Sequence, residues 1–178
     1  RPGASRPKKA ESLRPRPALE RLAGTLKPRT KPAAFDFRTG APDPSLFPWT
    51  QWRSLVANQL KGRRPIVGYP PPEGDEKLRE AIARHLGITR GITVAASDVL
   101  VTSGAQQAFD LIAKALVEPG DCVAVEDPGY PSVRAALQLH GAKVVPVPVD
   151  DEGIIVERIP NEARLVYVTP SHQDPLGM

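Results

Sequence analysis

Apolar and polar positions along this chain repeat with two different periods, and the change of period marks its elements. Trp49, Trp52, Leu55, Val56 and Leu60 recur every three or four residues and fall on one helical face. That spacing predicts a helix over about residues 49 to 61. The run Gly68 to Gly74, with three consecutive prolines, is a loop. Asp75 caps a second helix with Leu78, Ile82 and Leu86 on one face and Gly87 as its stop. Beyond this point, short apolar runs alternate with helical patterns. A strand is predicted at 98–102, then a helix at 104–117 with Phe109, Ile112, Ala113 and Leu116 inward. Gly120-Asp121 turns into a strand at 122–126, and a helix from Pro131 to His140 is stopped by Gly141. A strand at 143–147, a turn at Asp150 to Gly153, a short apolar piece and a strand at 164–169 complete the pattern. Strands that alternate with helices predict an α/β fold: a mainly parallel sheet with flanking helices. Ligands of such sheets bind beyond the carboxyl ends of the strands. Ser103, Tyr130 and Ser171 all lie just past predicted strand ends.

Residues 1–34 show little apolar periodicity and hold six prolines, so this arm cannot bury enough surface to offset its ordering entropy. It is expected to be a linker, with room for a short helix around residues 17–26, and the globular part is expected over 35–178. Charge divides in the same place. Residues 1–38 hold 11 Lys or Arg against 3 acids, whereas the other 140 residues hold 13 bases against 17 acids. The basic arm is therefore either a solvated spacer or a weak electrostatic contact for nucleic acid. At 178 residues the chain can build one domain with a real core. It has no run of 18 apolar residues and no signal-peptide pattern at its start. The single cysteine, Cys122, sits in an apolar strand pattern and is expected to be a buried thiol. A lone cysteine forms no internal disulfide, which fits a reducing cytoplasm.

The densest candidate chemistry lies in Thr102-Ser-Gly-Ala-Gln-Gln107. A strand turns sharply into a helix there, through small residues that let a ligand approach the backbone. Free N–H groups at the new helix's start suit an anion such as a phosphate. Taken alone, the turn is equally an ordinary helix N-terminus with small capping residues. Tyr130, in Glu126-Asp-Pro-Gly-Tyr-Pro131, places an aromatic past the next strand end. A phosphate cradle and a rigid aromatic together suggest a flat, phosphorylated cofactor.

At these residues the chain resembles the fold type I aminotransferases that use pyridoxal phosphate (PLP). More narrowly, it is similar to the aminotransferase-like half of the MocR subgroup of GntR-type transcription regulators. Four segments carry the likeness: Phe37 to Asp43 with Leu46-Phe-Pro48, Thr102 to Gln107, Val125 to Pro131, and Val168 to Gln173. The resemblance implies the first half of a PLP-binding large domain. It implies that Ser103, Gly104, Ala105 and Gln106 meet the cofactor phosphate and that Tyr130 stacks on the pyridine ring. It implies that Tyr69 crosses a homodimer interface to the partner's phosphate and that Gly40 leaves room for a substrate carboxylate. Each of these also has a plainer structural role open to it, as a turn or packing residue.

Two departures qualify the likeness. Where many aminotransferases carry an asparagine before a proline, this chain has Asp174-Pro175. A carboxylate there would repel both the ring oxygen and a substrate carboxylate. Either Asp174 swings out, or Gln173 or His172 takes the contact. The lysine that holds PLP covalently, the aspartate for the pyridine nitrogen and the arginine for the substrate all belong further downstream in the family. Lys77, Lys114 and Lys143 fall on predicted helix or strand surfaces, so this chain alone is not expected to transaminate. The expectation is an internal piece of a MocR-type regulator: its interdomain linker and half of its effector domain. DNA would be bound by a winged helix-turn-helix upstream, and a small amino compound would act as effector. The alternative is a piece of a stand-alone aminotransferase with an N-terminal extension. The sequence shows no internal repeat and no metal-ligand cluster.

Overall fold

The computed structural model describes residues 14, 17, 19, 20, 40, 42–61 and 68–178. The linker expected at 1–34 therefore lies almost wholly outside the described residues. Of the short helix expected there, Pro17, Leu19 and Glu20 are described, and they are helical and exposed. From residue 34 onward the chain divides into two compact units, Ala34–Ala108 and Phe109–Met178.

In the first unit, helix α1 spans Trp49–Leu60. Phe47, just before its start, packs its ring 5.8 Å from Trp52 and 4.6 Å from Trp49. An apolar residue before the cap meeting one on the first turn fixes how the chain enters a helix. The predicted apolar face of α1 is nevertheless largely open, with Trp49, Trp52, Leu55, Val56 and Leu60 all exposed. Helix α2 spans Glu76–Arg90. Asp75 caps it as expected, its carboxylate accepting the Leu78 N–H at 3.1 Å. The predicted stop at Gly87 is wrong: Gly87 stays helical, and the helix ends at Gly91, whose φ of 65° is left-handed. A glycine inside a helix costs only about 1 kcal/mol, so Gly87 was no barrier.

The strand expected at 98–102 does not form. Ala96–Asp98 is instead a short 3-10 turn, followed by extended but unladdered chain. A strand needs a row of backbone partners. Among the described residues Val101 donates to the Glu73 carbonyl (2.9 Å), a single bond to a loop. That loop approaches closely, since a Cβ on Gly74 would run into the Val101 side chain.

Helix α3, Ala105–Leu116, leads into the second unit, where four strands make one sheet. These are β1 (Cys122–Asp127), β2 (Lys143–Asp150), β3 (Gly153–Ile154) and β4 (Leu165–Tyr167), in the order β3-β2-β1-β4. Helix α4 (Pro131–Leu139) joins β1 to β2. β1 pairs in parallel with both β2 and β4, whereas β3 is antiparallel to β2. The α/β, mainly parallel architecture is as expected, with one antiparallel edge. β1 reads as a continuous apolar run because it is central, and Cys122 to Glu126 are all buried, so the Cys122 thiol is buried as predicted. β2 runs three residues past the predicted end despite Pro146 and Pro148. Pro148 turns its carbonyl toward the β3 side, where Ile155 N–H meets it at 3.0 Å. Pro146 shares that side by alternation, so the missing N–H groups cost no bond to β1.

The core joins Ala113 and Val117 from the α3 end, Val123 and Val125 of β1, and Val133 and Leu137 of α4. Phe109, Val144, Leu165 and Tyr167 pack around it. Ile112 and Leu116, expected inward, are exposed. At the C-terminal end of α3, Arg164 Nε donates to the Leu116 carbonyl at 2.6 Å and lies 3.3 Å from the Asp121 carboxylate. A cation there satisfies a helix-end carbonyl. Asp110 of α3 meets Lys114 and His140, each at 2.7 Å. Those two partners, Lys114 first, hold its carboxyl below the usual range.

Candidate cofactor site

Two groups of candidate residues stand in different units, and each has its own geometry. In the first unit, Ser103 and Gly104 form the turn into α3. Ser103 N–H donates to the Gln107 side-chain oxygen, and Thr102 Oγ1 donates to the Gly104 carbonyl at 3.1 Å. Gln107 thus closes the turn from below. The turn itself is open: Ser103, Gly104, Ala105 and Gln106 are all exposed. Gly104 has a φ of 92°, and a Cβ built on it would meet nothing within 4 Å. The first N–H groups of a helix lack intrahelical acceptors and carry the positive end of its dipole. Open space above such donors fits a dianionic phosphate.

Tyr69 and Gly40 belong to the same unit. Tyr69 is fully exposed beside the loop that closes on Val101. Gly40 is exposed with a φ of 71°, a left-handed conformation that a side chain would strain.

In the second unit, β1 delivers Tyr130. The chain leaves β1 at Asp127, turns through Pro128 and Gly129, and enters α4 at Pro131. Proline at the first helical position suits that start. Gly129 is required here, because a Cβ would collide with the Glu126 carbonyl. Tyr130 is the residue that caps α4, yet its side chain makes no capping bond. Tyrosine is a poor choice for capping alone. The residue is 39% exposed, and its ring meets Phe109 edge-on at 6.3 Å. Phe109 in turn meets Tyr167 at 5.4 Å, nearly perpendicular. The three rings brace one another and leave part of Tyr130 open to a ligand.

Behind Tyr130 lies a network that the sequence motifs did not single out. Glu126 and Gln173 are the buried polar side chains among the described residues, 3% and 4% exposed. The Glu126 carboxylate accepts the Thr169 N–H at 3.2 Å, the Thr169 hydroxyl at 2.6 Å and the Gln173 amide at 3.3 Å. Gln173 Nε2 also donates to the Pro128 carbonyl at 2.8 Å, while its oxygen accepts the Leu176 N–H at 3.2 Å. Both amide hydrogens of Gln173 are engaged, so it cannot replace a ligand-facing asparagine. Asp174 is half-buried, and its N–H donates to Thr169 Oγ1 at 3.2 Å. The signal for Glu126 was available in principle: one carboxylate in an otherwise apolar strand run. Ser171, just past β4, has a φ of 74°.

Glu126, Thr169, Ser171 and Gln173 border an open pocket of about 360 Å³ beyond the carboxyl ends of β1 and β4, lined also by Ile154 and Met178. Nearby, burial raises the Tyr167 phenol above its ordinary value, helped by electrostatic repulsion from Glu126, Tyr130 and Asp174. No cluster of three or more metal-ligating side chains occurs among the described residues. Among them no helix is long and apolar enough to cross a membrane.

Comparison with known proteins gives this geometry a setting. The chain is 36% identical over 159 residues to the probable rhizopine catabolism regulatory protein MocR of Rhizobium meliloti, covering 88% of this chain and 32% of that protein. It is 41% identical over 144 residues to the HTH-type transcriptional regulator TauR of Rhodobacter capsulatus, covering 79% and 30%. The chain thus spans about a third of the length of these relatives. Among solved structures, the α-aminoadipate aminotransferase LysN of Thermus thermophilus is 32% identical with a TM-score of 0.67, covering 79% of this chain and 36% of LysN. That structure holds N-(5'-phosphopyridoxyl)-L-leucine. The aminotransferase class I and II family matches residues 38–162, across both the open turn at Ser103 and the braced ring of Tyr130. By that match, the chain belongs to the aminotransferase class I and II family.

Proposed function

We propose that this chain is part of a PLP-binding transcription regulator of the MocR type, comprising the arm and the first half of the effector domain. The observation that carries the cofactor assignment is the open helix start at Ser103 to Gln106, with no atom within 4 Å of a Cβ on Gly104. The N–H groups of Gly104, Ala105 and Gln106 would hold the phosphate, since that of Ser103 is already donated to Gln107, and Gln106 would add its amide. Tyr130, whose side chain makes no capping bond, would hold the ring from one face. Tyr69 would reach the phosphate of a second subunit, and Gly40 would leave room for the carboxylate of an amino compound. Bound PLP supplies an electron-withdrawing ring and an aldehyde that captures amines. In this reading the captured amine acts as the signal, and a shift in the dimer's DNA-binding geometry as the response. The regulator reading is favoured over the enzyme by MocR and TauR, which are 36% and 41% identical to this chain against 32% for LysN. DNA binding, the dimer, a cytoplasmic setting and the upstream winged helix belong to the same proposal.

The test uses the full-length parent protein. It should retain a PLP absorbance band through dialysis, and borohydride should trap the cofactor on a lysine. Tyr130→Ala should weaken PLP binding by about two- to tenfold, as expected for one lost stacking contact of about 0.5–1.5 kcal/mol, and leave the protein folded. A parent that takes up no PLP sinks the cofactor role. Unchanged affinity with a large loss of stability would make Tyr130 a packing residue. The aminotransferase reading is supported by the LysN likeness. A parent that converts amino acids to oxo acids and ignores DNA would establish it instead.

A further inference from the structure

We infer that Glu126, with Thr169 and Gln173, is a positioning residue for the ligand, fixing the Tyr130 turn and the chain after β4 as one unit. The inference rests on the PLP reading above. A carboxylate is costly to bury unless it is fully hydrogen-bonded. Packing alone would be met by another valine, since the rest of β1's buried run is Cys122, Val123, Ala124 and Val125. The buried carboxylate instead gathers three donors from residues 43 to 47 positions away.

What it gathers are the two segments leaving β1 and β4. On one side, Gln173 bridges Glu126 to the Pro128 carbonyl, two residues before Tyr130. The turn between them is tight, since a Cβ on Gly129 would collide with the Glu126 carbonyl, and Arg134 Nη2 donates to that carbonyl at 3.3 Å. On the other side, Thr169 passes the restraint to Asp174 through its hydroxyl. The same three side chains line the open pocket beyond the strand ends. A hydrogen-bonded clamp of this kind holds a ring-facing side chain in place before a ligand arrives, which lowers the entropy lost on binding.

Glu126→Gln keeps the shape but puts an amide where donors converge. In the full-length parent it should weaken PLP binding about tenfold or more, because bonds to a charged acceptor are lost. The circular dichroism induced in the bound PLP should change even at saturating cofactor and well below the melting temperature. Thr169→Val, which removes only the hydroxyl, should give a smaller loss in the same direction, and Thr169→Ser should restore wild-type behaviour. A purely structural network would lower the melting temperature and leave PLP affinity and induced dichroism unchanged. That result in a folded Glu126→Gln, or in Thr169→Val should Glu126→Gln not fold, overturns the inference while the PLP reading stands. A wild-type parent that binds no PLP overturns both.

Discussion

Tyr167 is the side chain whose ionisation the surrounding charges most clearly oppose. Burial comes first, then electrostatic repulsion from Glu126, Tyr130 and Asp174, and all raise its phenol above the ordinary value of 10.0. The folded phenol therefore holds its proton more tightly than the unfolded one. Its contribution to stability is complete below pH 10 and is lost as pH climbs from there through the raised folded value. Thermal melts across an alkaline series should show that loss, and Tyr167→Phe should flatten it, with one late-titrating phenol gone from the tyrosinate absorbance. An alkaline limb identical in wild type and variant would assign the loss to another group. At this scale the sequence singled out Ser103 to Gln106 and Tyr130 as candidates, because small turn residues and a strand-end aromatic are local signs. It did not show Glu126, Thr169 and Gln173 as a set. Their meaning comes from hydrogen bonds across more than forty positions of chain, which no local pattern encodes.

Among the elements, the helices were the most legible. α1 and α2 begin where apolar spacing and a capping aspartate predicted, because both signals act within one turn. The Asp75 carboxylate satisfies an N–H at the start of α2 that would otherwise have no partner. Asp75→Ala should lower stability by about 1 kcal/mol, whereas Asp75→Asn should be nearly neutral. Chemical denaturation midpoints at constant slope check both. An equal loss in the two variants would mean that charge, rather than capping, dominates. Ends and strands were less legible. Gly87 and Gly91 look alike in sequence, and only backbone handedness at Gly91 distinguishes them. The apolar run 98–102 had the composition of a strand without a ladder to join. β2 outran its prediction because alternation turned Pro146 and Pro148 to the side opposite β1.

For the whole molecule, the division of charge is the most consequential feature. The first 38 residues carry 11 bases and 3 acids, and the rest of the chain is mildly acidic. If the arm touches DNA, its basic, proline-rich composition favours contacts to phosphates, which carry no sequence information. Lys8, Lys9, Arg14 and Arg16 should be neutralised together in the full-length parent, with affinity for operator and random DNA measured across a salt series. Both affinities should fall, and both should become less salt-sensitive as fewer counterions are released. Loss on the operator alone would mean that the arm reads sequence. No change would reduce it to a spacer.

The sequence by itself determined the α/β class, the order of helices and strands from Cys122 onward apart from the short β3, and the family, and it marked two candidate positions for a ligand. Each depends on interactions within a turn of helix or on the inside-outside pattern of a strand, so a linear reading reaches them. Tertiary structure alone decided which apolar runs become strands, which helix faces are covered, and where a buried carboxylate finds its donors. β1 became the central strand because β2 and β4 supplied ladders on both its edges. Glu126 at its end could be buried because Thr169 and Gln173 returned to the same point in space. Backbone and side-chain hydrogen bonds between distant positions need both partners in place, and that placement exists only once the chain has folded.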